Sequence, residues 1–395
     1  MRILFLSFYY EPDLCAGSFR AAALIQSLQA LLPAGSHIDL LTTKPNRYSS
    51  FSVEAPETEK GELLSVRRIS LPFHKSGMCD QSIAYLAYAR EVCAHVRRQK
   101  YDLVFATSSR LMTAVLGAYI ARSQKVPLYL DIRDIFVDTI QNILPRWLAW
   151  PMGGVFSLLE RYAIGYANKV NLVSRGFEHY FLQRYPRQHF SFFSNGIDDE
   201  FKVPVPVANS GTSSAPPYSV VYAGNLGEGQ CLHAILPGLA KAMHGHVQFT
   251  VIGDGGRKEQ LHKALDEAGC DNVTLQDPVS RNALVQAYLG ADVLFLHLND
   301  YDAFRKVLPS KLFEYAAIGK PIWAGVAGYA AEFIAHEIQN VAVFPPCDIG
   351  AAIRAFSTLQ MRPTPRTDFV RKYERHFIMQ LLAADIVSIV IGTRK

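Results

Sequence analysis

The feature that most constrains this chain is an alternation repeated along almost its whole length. Apolar runs of strand length, "RILFLSF", "HIDLLTT", "DLVFATS", "VPLYLDI", "KVNLVS" and "FSFFSN", alternate with segments of helical period such as "SFRAAALIQSLQAL" and "MTAVLGAYIARSQ". Near-continuous apolar strands suit a parallel sheet covered on both faces, and their alternation with helices implies right-handed βαβ units in a doubly wound sheet. The pattern breaks at "KVPVPVANSGTSSAPPYS" (Lys202 to Ser219), whose Pro, Ser, Gly and Ala content reads as a linker or long loop. It then restarts with "YSVVYAG", "VQFTVIGD", "NVTLQ", "DVLFLHL", "KPIWAGV" and "NVAVF". The expectation is therefore two α/β domains, residues 1–200 and 218–375, joined by 201–217. The C-terminal segment 376–395 is read as a helix that packs back on the N-terminal domain.

Two domains also fit 395 residues, more than one core usually serves. A 49% hydrophobic and 19% charged composition excludes a disordered chain. The net charge of +5 fits an anionic ligand or membrane surface and equally an ordinary mildly basic protein. The six cysteines are scattered without a Cys-x-x-Cys pair and read as reduced and mostly structural in a cytosolic protein. The opening "MRILFLSFYYEP" reads as a first strand rather than a signal peptide, and the closing "FIMQLLAADIVSIVIG" is short for a span and contains Asp385. The aromatic segments Pro145 to Ala167 and Gln81 to Gln99 are read as core helices, with a membrane-facing surface as the alternative.

The most informative stretch is "VLPSKLFEYAAIGKPI", Val307 to Ile322. Ser310 is a good helix N-cap by type, and Gly319 with Pro321 stops the helix. A helix opening near Lys311 just after a strand would offer outward N–H groups to an anion. Its dipole supplies only about half a positive charge, so Lys311 would assist. Glu314, odd beside an anion, suits the hydroxyls of a ribose diol. Alternatively, Lys311 and Glu314 form a solvated pair on an exposed face.

Three further loops follow strands. In "VVYAGNLGEGQ", Gly224 lets backbone approach a phosphate, while Asn225 and Gln230 can donate hydrogen bonds without charge. In "FYYEPDLCAGSFRAA", Gly17 and Ser18 open the first helix; Arg20 reads as a surface residue rather than a phosphate contact. In "YLDIRDIFVD", Asp134 could orient or deprotonate an acceptor hydroxyl, or take part in a structural Asp–Arg pair. "VIGDGGRKEQL" fails as a nicotinamide fingerprint, because the third glycine would fall at Lys258. Neither a zinc-spaced cluster nor a G-x-S-x-G elbow occurs.

In order, "YAGNLGEGQ", "VIGDGG", "NVTLQDPVSRNALVQAYLGADVLFL" and "LPSKLFEYAAIGKP" resemble retaining glycosyltransferases of the GT-B fold, in the family-four-like group. More narrowly, the wording is similar to bacterial amino-deoxysugar transferases of O-antigen and capsule assembly. The resemblance implies two Rossmann-like doubly wound parallel-sheet domains facing across a cleft. It implies a nucleotide-sugar donor, a UDP-sugar first, on the C-terminal domain. Glu314 would hold the ribose and the backbone at Pro309 and Ser310 would meet the donor. Gly17 would lie beside the diphosphate and the loop Pro278 to Arg281 would contact the base. The acceptor, a saccharide or a polyprenyl-diphosphate-linked saccharide, would sit near Arg133 and Asp134. No metal or organic cofactor and no nucleic acid is implied, and the place of action is the cytoplasm or the inner face of the plasma membrane. Two departures stand out. Lys306 replaces a common glutamate, and Asn225 and Gln230 replace a common Arg and Lys, so Lys311, Lys306 or Arg305 would have to supply the diphosphate's positive charge. A sugar-nucleotide epimerase and a non-catalytic nucleotide- or membrane-binding subunit remain the alternatives.

Overall fold

The computed structural model describes residues 1–46, 54–72, 78–108, 110–138, 146–203 and 215–393. The chain divides into two compact units, one of Met1–Asn195 with His376–Lys395, the other of Gly196–Arg375. Most of the Pro- and Ser-rich stretch read as a linker, 204–214, lies outside the described residues.

The first unit carries β1 (Arg2–Leu6), β2 (His37–Thr43), β3 (Thr58–Lys60), β4 (Leu64–Ile69), β5 (Leu103–Ser108), β6 (Leu128–Ile132), β7 (Lys169–Leu172) and β8 (Phe190–Ser191). They form one sheet in the order β3-β4-β2-β1-β5-β6-β7-β8, parallel except for the short edge strand β3. The helices are α1 (Ala16–Leu31), α2 (Met78–Val96), α3 (Leu111–Gln124), α4 (Arg146–Tyr166) and α5 (Glu178–Arg184). β5 and β6 are buried along their whole length, as an apolar run inside a parallel sheet should be. "FSFFSN" yields only the two-residue β8. β3 and β4 escape the sequence pattern, because β3 is three exposed polar residues and β4 is Arg-rich.

The second unit is a six-stranded parallel sheet of β9 (Tyr218–Ala223), β10 (Val247–Ile252), β11 (Val273–Gln276), β12 (Val293–His297), β13 (Ile322–Gly325) and β14 (Val341–Phe344). Its order is β11-β10-β9-β12-β13-β14. Around it lie α6 (Leu232–Ala242), α7 (Lys258–Ala268), α8 (Arg281–Gly290), α9 (Lys311–Ile318), α10 (Tyr329–Glu337), α11 (Ile349–Phe356) and α12 (Thr367–Lys372). Alternate residues of β9 serve two cores. Val221 and Ala223 join Leu312, Phe313 and Tyr315 of α9, whereas Val220 and Tyr222 join Leu236 and Leu239 of α6. Period-two alternation with apolar residues on both faces is what covers a sheet by helices on both sides.

The last helix, α13 (Arg375–Thr393), belongs from His376 onward to the first unit. Its one mid-helix acid, Asp385, accepts from the Tyr129 hydroxyl at 2.7 Å and pairs with Lys169. Among the described residues no helix is long and apolar enough to cross a membrane.

Both sheets share one topological property. Each runs outward from its first strand in one direction and resumes on the other side, with β12 in the second unit and β5 in the first, so the order reverses between β9 and β12, and between β1 and β5. In open α/β sheets the crevice outside the carboxyl ends of the strands at that reversal is where ligands bind. The loops after β9 and β12 carry Gly224 to Gln230 and Asn299 to Ser310. At the carboxyl ends of β1, β5 and β6 stand Gly17 in the first turn of α1, Ser108 closing β5, and Arg133 just after β6.

Candidate functional site

In the second unit, α9 starts at Lys311 because Leu312, Phe313, Tyr315, Ala316, Ala317 and Ile318 bury every face but one. Lys311 and Glu314, three apart, share the remaining face. The helix ends at Gly319, whose φ of 76° suits a left-handed C-cap. The buried Arg366 guanidinium covers that end, donating to the carbonyls of Ala316, Lys320 and Gln339 at 3.2, 3.1 and 2.7 Å.

The opening turn differs from the expectation. Ser310 is already helical, at φ −60° and ψ −32°, and its side chain caps nothing. The turn is tight: Leu312 N–H donates to Pro309 O and Phe313 N–H to Ser310 O, both at 3.1 Å. Two amides expected to face an anion thus close on their own turn.

The Lys311 ammonium lies directly over Gly224. A Cβ on Gly224 would fall 1.9 Å from Lys311 Nζ and 2.2 Å from Cε, and the Gly224 φ of 143° disfavours any other residue. Lys311 Nζ also stands 5.2 Å from the centre of the Tyr222 ring. The glycines of "VIGDGG" serve this same loop. A Cβ on Gly253 would meet Gly224 O at 1.9 Å, and Leu226 N–H donates to Asp254 O at 2.9 Å. They permit two strand-end loops to touch; they do not form a dinucleotide fingerprint.

Asn225 and Gln230 occupy each other: Asn225 Nδ2 donates to Gln230 Oε1 at 2.7 Å. The Asn225 carbonyl accepts from Tyr222 Oη at 2.7 Å, and the Gln230 carbonyl from His297 Nδ1 at 2.8 Å. Of the substitute cations, Arg305 is turned to Asp300, with Nη2–Oδ1 at 2.9 Å. Lys311, by contrast, is held against the glycine loop at Gly224.

Glu314 is not a solvated partner of Lys311. Burial pushes its carboxyl above the ordinary range, opposed by Lys311 and then Arg281, and Tyr288 Oη approaches its Oε2 at 3.4 Å. Arg281 opens α8 behind the N-cap Ser280. Its Nη2 lies 2.7 Å from Asp198 Oδ2, with Glu200 at 3.3 Å from Nε. Asp198 also pairs with Arg375. Burial would raise Asp198, but Arg375 and Arg281 together hold it below the ordinary range. Pro278 stands half-buried three residues ahead of Arg281. The Asp198 link was not legible in "SNGIDDEF", since its partners lie far away in sequence.

In the first unit, Gly17 and Arg133 meet. Arg133 Nη1 donates to Ala16 O at 3.2 Å and would stand 3.2 Å from a Cβ on Gly17. Ser108 Oγ accepts from Arg133 N–H at 3.2 Å. Asp134 is exposed beside them. Arg20 is a correction: it is 1% exposed and forms a bidentate pair with Asp131, 2.9 Å at each contact. It also donates to the carbonyls of Ser194 and Phe193 at 2.6 and 2.9 Å. Neither a surface residue nor a phosphate contact, Arg20 ties α1 to the end of the sheet.

With this geometry in place, comparison with known proteins defines the class. Residues 20–196 match the model "Glycosyl transferase 4-like domain" and residues 212–375 match "Glycosyl transferases group 1". The chain belongs to the group 1 glycosyltransferases with a 4-like N-terminal domain, built as two parallel-sheet α/β units of the GT-B fold class. Among curated proteins it is 31% identical over 100 residues to WcaI of Escherichia coli (strain K12), named as a colanic acid biosynthesis glycosyl transferase. That match spans 25% of this chain and only 24% of WcaI. Among solved structures, sucrose-phosphate synthase from Thermosynechococcus elongatus has a TM-score of 0.74 at 15% identity, covering 99% of both chains. HepE of Anabaena, solved with UDP and glucose, has a TM-score of 0.64 at 17% identity, covering 98% of this chain and 100% of its own. WaaG, described as a glycosyltransferase of lipopolysaccharide biosynthesis, has a TM-score of 0.65 at 14% identity, covering 99% and 98%. At these identities the likeness is one of fold.

Proposed function

We propose that this chain transfers a sugar, an N-acetylated amino- or deoxyamino-hexose, from a UDP-sugar to a saccharide or lipid-linked saccharide in surface polysaccharide assembly, with retention. The observation that carries the reading is the Lys311 ammonium held over Gly224, at the carboxyl ends of the strands where the second sheet reverses its order. A diphosphate lying against the Gly224 loop would meet that ammonium directly. Glu314, on the same helix face, would accept from the ribose hydroxyls, with the base toward Pro278 and Arg281 and the backbone of Pro309 and Ser310 alongside. That HepE was solved with UDP and glucose supports a uridine nucleotide as the first ligand to try.

In this reading the bond between the anomeric carbon and the diphosphate oxygen breaks, and its electron pair leaves with the diphosphate. Lys311 stabilises the charge that develops there more than the charge of the bound ground state, which is what lowers a barrier. The acceptor hydroxyl adds to the same face of the sugar and its proton passes to the departing phosphate oxygen. Arg133 and Asp134 in the first unit are assigned to the acceptor, with Asp134 orienting its hydroxyl. Exposed Ile83, Leu86 and Arg90 on α2, exposed Arg97 just past its end, and exposed Trp150 and Leu158 on α4 support a peripheral membrane contact. Co-sedimentation with vesicles containing anionic lipid should exceed that with neutral vesicles, and Leu86→Glu should abolish the difference.

One observation favours a second reading, a subunit that binds the nucleotide without transfer: Asn225 and Gln230 are neutral and bonded to each other. Incubating UDP-sugars with and without saccharide acceptors separates the possibilities. Acceptor-dependent release of UDP with a glycosylated product supports transfer. UDP binding with no product over a broad acceptor panel supports the second reading, and an epimer formed without acceptor indicates an epimerase.

A further inference from the structure

The glycine loop ends at Cys231, and its sulfur lies 3.8 Å from that of Cys347 in the turn between β14 and α11. Both residues are in the left-handed region, at φ 51° and 61°, where cysteine is uncommon. One buried imidazole fixes the two segments that carry them. His297 Nδ1–H donates to Gln230 O at 2.8 Å, while its Nε2 accepts from Cys347 N–H at 3.0 Å. These two bonds demand a single neutral tautomer, so the ring acts as a strap between the residue before Cys231 and Cys347 itself. The pair is also asymmetric: Cys347 is exposed and Cys231 is buried.

We propose that Cys347 and Cys231 form a thiol–disulfide exchange site for low-molecular-weight disulfides, with Cys347 the attacking and Cys231 the resolving thiol. The Cys347 thiolate, its proton released to solvent, attacks one sulfur of the small disulfide. That S–S bond breaks and one small thiolate leaves with the electron pair, taking up a proton. The Cys231 sulfur, giving up its own proton, then attacks Cys347 Sγ, forms the internal disulfide and expels the second small thiol. Two protein thiols are oxidised and one small disulfide is reduced to two thiols. Reaching a bonding distance near 2.05 Å from 3.8 Å asks the sulfurs to close by about 1.8 Å. The division of labour has electrostatic support: sharing a proton with Cys231 holds Cys347 below the ordinary thiol range and Cys231 above it. Burial instead raises Cys93 and Cys270, which makes them poor competitors. The internal disulfide would tie the turn after β14 to the loop that presents Asn225 and Gln230.

The test is to hold the full chain in mixtures of oxidised and reduced glutathione, quench with acid, alkylate and map the cysteines by peptide mass spectrometry. The proposal expects a Cys231–Cys347 cross-link as the dominant product, a persistent glutathione adduct on Cys347 in Cys231→Ser, and no adduct on Cys231 in Cys347→Ser. Failure of the unaltered chain to form the cross-link under fully oxidising conditions would overturn it. So would a Cys231→Ser chain that carries no more glutathione on Cys347 than on Cys93 or Cys270.

Discussion

Arg20 has the sequence context of a solvated cation, four residues into a helix, yet it is almost wholly buried beside an equally buried Asp131. Burial would raise the Asp131 carboxyl, but Arg20, then Arg133 and Asn171, hold it below the ordinary carboxylate value of 3.8. This carboxylate therefore contributes stability above pH 3.8 that is lost as the pH falls further. Arg20→Met should cost about 3–5 kcal/mol in denaturant unfolding, because it strands a charge in the core. The sign of the local pH dependence should also reverse: Asp131 without its partner favours its neutral form, so the variant should be more stable at pH near 5 than near 7. Glu314 already has that second sign. Its folded carboxyl is raised above 4.5 by burial, so its contribution is full below pH 4.5 and declines as the pH rises through the folded value. Glu314→Gln should raise stability at neutral pH by about 1 kcal/mol and weaken UDP binding, the opposite directions expected of a group kept for a ligand. A loss of stability with unchanged UDP affinity would make Glu314 merely structural. Neither burial was legible in the sequence. The type of residue was plain, but the partners of Arg20 lie more than a hundred positions away.

At the scale of elements, much more could be read directly. Each apolar run of the second half is a strand; β12 and β13 are buried along their whole length, which leaves the clearest pattern, while the edge strands β11 and β14 are partly exposed. β3 and β4 carry little apolar signal for the converse reason: β3 is an exposed polar edge strand, and β4 beside it holds two arginines where a buried strand would be apolar. The opening of α9 shows the limit of residue preference. Ser310 has the right chemistry for a cap, but Pro309 before it and the tight turn leave it helical, so its hydroxyl caps nothing. What holds α9 in place instead is Arg366, distant in sequence, whose side chain is pushed by burial down to about 10 and spends its donors on the carbonyls at the helix end. Arg366→Gln should leave several of those carbonyls unsatisfied, at a cost on the order of 3 kcal/mol. It should also speed hydrogen exchange of the α9 amides ahead of the rest of the second unit. Unchanged protection in α9 would mean that the apolar face alone positions the helix.

For the whole molecule, the two sheet orders matter more than any single motif. Both units reverse strand order beside their first strand, and each has a glycine, Gly224 or Gly17, near the carboxyl ends of its strands. The sequence disclosed the elements and their succession, from which that arrangement follows. The neutral Asn225–Gln230 pair was legible as a departure from the family pattern, but not that the two side chains would bond each other. In the proposed reading, their pairing concentrates the demand for positive charge on Lys311. Calorimetric titration of UDP into the full chain and into Lys311→Ala measures that demand directly. Loss of one charge-assisted contact to a diphosphate is worth about 1.5–3 kcal/mol, so the account predicts a dissociation constant raised by about ten-fold or more, at unchanged unfolding midpoint. Equal affinity for UDP in the two proteins would contradict it.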